Sequence, residues 1–135
     1  MVNIQSNNQD MKIISPKDCD NAPKKRILKE FIIACAKKDI DFITEHTLTD
    51  INWTIVNDTT LLGREEVIHT LVNKMPKQII EIELTNIITH GHTAAANGVV
   101  KFEDDRIYSF CNVYRFVSPG KNTLKEITSY VIKNE

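Results

Sequence analysis

Apolar residues along this chain recur first at helical spacing and then, from Gln78 onward, at every second position. Ile27, Leu28, Phe31, Ile32 and Cys35 share one helical face, with Lys and Glu opposite. This predicts a helix opening at Asn21-Ala22-Pro23, where Pro suits the first turn. Asp39 can cap a second, short helix that turns Phe42 and Ile43 inward. Ile51-Asn52-Trp53-Thr54-Ile55-Val56 alternates as a strand, and Asn57-Asp58-Thr59-Thr60 is turn material. Gly63 precedes a third helix. Glu65 and Glu66 in its first turn complement the helix dipole, its stripe is Val67, Ile68, Leu71, Val72 and Met75, and Pro76 is expected to stop it.

The second half alternates in four runs, 79–89, 94–103, 106–117 and 124–133. The breaks are His90-Gly91-His92, Asp104-Asp105 and Ser118-Pro119-Gly120. Breaks this short make neighbouring strands antiparallel, and strands this long must twist and bend. The fold class that follows is α+β, with helices gathered on one face of a strongly curved antiparallel sheet. Residues 1–20, rich in Asn, Gln, Asp and Ser with the short apolar triplet Met11, Ile13 and Ile14, read as a flexible N-terminal tail, and 21–135 as a single domain.

Composition narrows the function. A chain of 135 residues is long enough to bury a core. Seventeen basic residues nearly cancel eighteen acidic ones, which leaves no basic field for nucleic acid. No apolar run reaches membrane-spanning length, and the polar start has no signal-peptide core, so a soluble, cytoplasmic protein is expected. Cys19, Cys35 and Cys111 are odd in number and widely spaced, as free thiols in a reducing compartment would be. No spacing of Cys, His or acids suggests a metal, and no motif suggests a cofactor.

Three segments resemble the nuclear transport factor 2-like superfamily and, within it, the SnoaL-like group. They are Phe31-Ile32-Ile33-Ala34-Cys35-Ala36-Lys37-Lys38-Asp39-Ile40-Asp41-Phe42, Leu62-Gly63-Arg64-Glu65-Glu66-Val67, and Phe110-Cys111-Asn112-Val113-Tyr114-Arg115-Phe116. Lys38 stands where Gly is usual. The resemblance spans about residues 22–133. It implies a cone-shaped (cystatin-like) sheet wrapped around the N-terminal helices, a pocket open at one end, and a homodimer formed through the outer sheet face.

The resemblance also supplies a test, because steroid isomerases of this superfamily use a Tyr, a base Asp and a protonated Asp. Their positions fall on Phe31, on Thr54 or Ile55, and on Asn112. Phe31 has no donor, neither Thr54 nor Ile55 can take a proton near neutrality, and Asn112 keeps a donor but no acid, so the known isomerase set is absent. Asn112 shares a strand face with Tyr108, Phe110, Tyr114 and Phe116. Either a Tyr hydroxyl or a water satisfies its amide, or the amide orients a ligand carbonyl or hydroxyl. Trp53, Ile55, Gly98, Val100 and Phe102 join Phe31, Tyr108, Phe110, Asn112 and Tyr114 as the expected pocket wall.

The leading expectation is a binder of a small, largely apolar molecule. The alternative is a cofactor-independent isomerase, cyclase or hydratase, with Asn112 as oxyanion donor and Glu126 or His46 as base. A third is a protein-interaction module using the outer sheet face, where Val99, Val113 and Val117 are interrupted by Lys101 and Arg115.

Overall fold

A computed structural model describes residues 2–7, 11–75 and 77–135, with side chains described from Met11 onward except at 19 and 20. The elements in chain order are β1 (Val2–Asn7), β2 (Met11–Pro16), α1 (Pro23–Lys37), α2 (Ile40–Glu45), β3 (Thr47–Ile55), β4 (Thr59–Leu62), α3 (Arg64–Asn73), β5 (Ile79–His90), β6 (Thr93–Phe102), β7 (Ile107–Phe116) and β8 (Leu124–Lys133). The strands form one open sheet in the order β1-β2-β5-β6-β7-β8-β3-β4.

The meander β5 to β8 is antiparallel throughout, as its short connections require. Parallel pairs join the flanking hairpins to it, β3 against β8 and β2 against β5. The sheet is therefore mixed where a purely antiparallel one was expected. Both parallel pairs join strands distant in sequence, where turn length gives no guide.

The largest departure is at the N-terminus. The segment expected to be a flexible tail contains the β1–β2 hairpin, with β2 paired to the edge of β5. Met11, Ile13 and Ser15 alternate inward, and Ile13 is fully buried. A six-residue strand is too short to be told from a docked coil by periodicity alone. The strand β4, whose first two residues Thr59 and Thr60 were read as turn, escaped for the same reason. Pro76, expected to end α3, lies outside the described residues, and α3 ends at Asn73.

Local chemistry explains the helices. Pro23 occupies the first turn of α1, and the Asp39 side chain accepts from the Phe42 amide to cap α2. Lys38 ends α1 in the left-handed conformation, at a φ of 59°, where Gly is commoner. Its ammonium donates to the Met75 carbonyl at 2.9 Å, tying the end of α1 to the end of α3. Arg64 opens α3 and donates to the Thr47 hydroxyl at 3.1 Å and to the Thr47 carbonyl at 2.5 Å, fixing that helix to the start of β3.

Curvature is built into the strands. β5 slips register between Leu84 and Asn86, opposite Gly98 of β6. A Cβ at residue 98 would collide with the Glu83 carbonyl, so only glycine lets the two backbones approach there. The core lies between the concave sheet face and α1 and α3. Leu28, Phe31, Val67, Ile82, Leu84, Phe116 and Ile127 are among its fully buried members.

Candidate functional site

The concave face does not close completely on the helices. A cavity of about 630 Å³ opens between α1, α3 and the inner face of β3 to β8. α1 contributes Phe31, Ile32 and Cys35, and α3 contributes Leu71. Alternation along β7 turns Tyr108, Phe110, Asn112 and Tyr114 toward it, while Cys111, Val113 and Arg115 point outward and are exposed. Nine of the ten residues expected to line a pocket do so. The exception is Gly98, which shapes the wall from behind by admitting the β5 bulge.

The polar groups inside are mostly paired with each other. The Asn112 amide donates to the Tyr114 hydroxyl at 2.9 Å. The Trp53 indole donates to the Ser129 hydroxyl at 2.8 Å, and the Phe31 and Trp53 rings lie 6.1 Å apart, tilted by 37°. Burial pushes the Tyr114 phenol above its ordinary pKa, and the Asn112 hydrogen bond opposes this only partly. Burial also pushes the Cys35 thiol up. A thiol held protonated is a poor nucleophile, so Cys35 serves as wall rather than reagent.

Neither residue kept as a possible base reaches the cavity. Glu126 is exposed on the outer face, 3.6 Å from Arg115. Leu124 and Ile127, both buried, are three residues apart, because the β7–β8 register shifts between Arg115 and Phe116. That bulge reverses the alternation, and counting inward from Leu124 puts Glu126 on the wrong face. The His46 ring folds back on its own helix. Its Nδ1 lies 3.0 Å from the Phe42 carbonyl and the ring stacks on Phe42 at 4.1 Å. Of the positions matched to the isomerase set, Phe31, Ile55 and Asn112 line the cavity, while the Thr54 hydroxyl lies 3.3 Å from that of Thr60.

The mouth was not foreseen. Asp58, Lys74, Lys77 and Arg106 line it, and Asp58 is the one carboxylate on the cavity surface among the described residues. Arg106 Nε donates to Asp104 at 2.8 Å and Nη1 to the Tyr108 hydroxyl at 3.2 Å. Its guanidinium lies 5.2 Å from the centre of the Phe102 ring. Slight desolvation would raise the Asp104 pKa, but the Arg106 hydrogen bonds and the charges of Arg106 and Lys77 together hold it below the usual carboxylate value. These four lining residues sit in turns and at a helix end, where hydrophobic periodicity carries no information about direction.

A curved sheet folded over an α-helix around an open apolar cavity defines the nuclear transport factor 2-like fold, and the chain has that fold. A protein of this fold of unknown function from Burkholderia xenovorans superposes with a TM-score of 0.68 at 16% identity, over 83% of this chain and 84% of that one. A candidate SnoaL-like polyketide cyclase from Shewanella denitrificans gives 0.70 at 14% identity, over 82% and 90%. A candidate ketosteroid isomerase from Kribbella flavida gives 0.71 at 10% identity, over 83% and 79%. No family model and no curated protein sequence matches the chain. Likeness at these identities concerns architecture and not chemistry. No helix among the described residues is long and apolar enough to cross a membrane.

Proposed function

We propose that this chain binds a small, largely apolar molecule in the cone cavity and does not transform it by acid-base chemistry. The observation that carries the reading is the cavity's lining. It is broad, aromatic and aliphatic, its polar pairs Asn112–Tyr114 and Trp53–Ser129 satisfy each other while the buried Thr70 hydroxyl has no partner, and among the described residues it holds no His and only the rim carboxylate Asp58. Volumes of roughly 300 to 1,000 Å³ are typical of small-molecule sites. An isomerase, cyclase or hydratase built on Asn112 needs a proton acceptor opposite its amide, and Glu126 and His46 both lie elsewhere.

Trp53 is the only tryptophan and stands in the wall, so its emission is a direct reporter. A panel of flat and chain-like apolar compounds is expected to raise the melting temperature and change Trp53 fluorescence together. A panel that leaves both unchanged overturns the reading.

The outer sheet face supports a homodimer. Val113, Val117, Tyr130 and Ile132 are between 40 and 69% exposed there, beside Cys111. In a Cys19→Ser background, Cys111 is expected to become protected from thiol reagents as protein concentration rises. Labelling that is independent of concentration, with a monomer by sedimentation, overturns the dimer. Free Cys35 and Cys111 fit a reducing, cytoplasmic setting.

A further inference from the structure

We infer that the ligand carries a carboxylate, which Lys74 and Lys77 hold at the cavity mouth while the apolar body lies against Phe31 and Trp53. This rests on the binding reading above and adds the chemical class.

The case starts from the sorting of charge. The deep wall is uncharged, and every charged lining residue sits in a turn or at a helix end. Three of the four are cations. Asp104 accepts from Arg106 and Glu103 accepts from the Gln78 amide at 3.0 Å, which leaves Asp58 as the one lining acid to set against the three cations. The carbonyl of Met75, beyond the end of α3, has the Lys38 ammonium as its donor. Lys74 and Lys77 make no ion pair and no hydrogen bond among the described residues, the Lys77 charge acting on Asp104 only at longer range, and both sit on the rim of a site whose deep wall is uncharged. An anion that reaches the rim gains two ammonium partners, and its apolar remainder is desolvated behind it. A neutral ligand of the same shape gains only the second term, and a cation loses the first outright.

The test is calorimetric titration of the full chain with matched pairs, naphthoate against naphthalenemethanol and octanoate against octanol. Exposed ammonium–carboxylate pairs are individually weak, so the carboxylate member is expected to bind about tenfold tighter in dilute buffer. The margin is expected to shrink at high salt. In the double variant Lys74→Gln, Lys77→Gln the margin is expected to vanish, with the neutral members binding as before. That last readout separates a mouth contact from a general loss of structure. Equal affinities within each pair, or a margin that survives the double substitution, overturn the carboxylate inference and leave the cavity reading intact. Absence of binding throughout both pairs overturns the two together.

Discussion

Asn112 carries the most information of any residue here. Its direction was legible from alternation, and so was the possibility that a tyrosine hydroxyl would satisfy it, which is the role Tyr114 plays. If the pair is structural, replacing either partner leaves the other short of a hydrogen bond. Asn112→Ala and Tyr114→Phe are each expected to cost about 1 kcal/mol in urea denaturation, with a coupling of about 1 kcal/mol in the double variant. Additive losses would mean that the hydrogen bond contributes nothing. Tyr114 also gives a pH prediction. An unfolded phenol ionises near pH ~10, and burial holds the folded one above that. The stability it contributes is whole below pH ~10 and falls as pH rises through the folded pKa, because the unfolded state releases its proton first. Cys35 adds a second loss of the same sign that begins near pH ~8.5. Stability measured against pH is therefore expected to decline less steeply above pH ~10 in Tyr114→Phe than in the parent. What the residue scale hid was Glu126, because a single bulged residue before it reverses every face assignment made from Leu124.

At the scale of elements, the strands β5 to β8 and the helices α1 and α3 were legible because each is long enough to show its period, and the six-residue α2 through its Asp39 cap. The limits lie where a segment of four to six residues joins the sheet through partners distant in sequence. Periodicity reports which residues want burial, not what will bury them. β2 is the informative case, since Met11 and Ile13 alternate correctly but their partner strand β5 begins more than sixty residues later. If β2 is integral to the core, Ile13→Ala is expected to cost ~2–4 kcal/mol by urea denaturation. A loss near zero would return the segment to the tail it first resembled. Gly98 makes the complementary prediction for curvature. A glycine inside a strand marks a bend or a close approach, and the Glu83 carbonyl supplies the second. Gly98→Ala must push β5 away at its bulge, and a loss of about 3 kcal/mol or failure to fold is expected. Unchanged stability would mean that the sheet bends without that approach.

For the whole molecule, the question is why a protein of this size keeps an open volume in its middle. Protein interiors otherwise pack to the density of organic crystals, and unfilled space forgoes dispersion contacts that a larger side chain would make. The residues bounding the space are large already, and Phe31, Trp53, Phe102, Phe110 and Tyr114 stand around it as a wall without filling it. Three ties hold that wall apart: Arg64 fixes α3 to β3, Lys38 fixes the end of α1 to the end of α3, and the bulge opposite Gly98 bends the sheet away. The two side-chain ties were not visible in the sequence, since each depends on which distant backbones meet. If they set the geometry independently of the lining, the cavity can be filled without unfolding the protein. Val100 lies half-buried on the inner face of β6 and offers the place. Val100→Trp is expected to stay within about 1.5 kcal/mol of the parent in urea, because its ring enters open space. It is also expected to abolish the melting-temperature rise that apolar compounds produce. A variant that still responds to those compounds would locate their binding outside the cone. One that unfolds would show that the open volume is supported by the side chains around it and not by the frame.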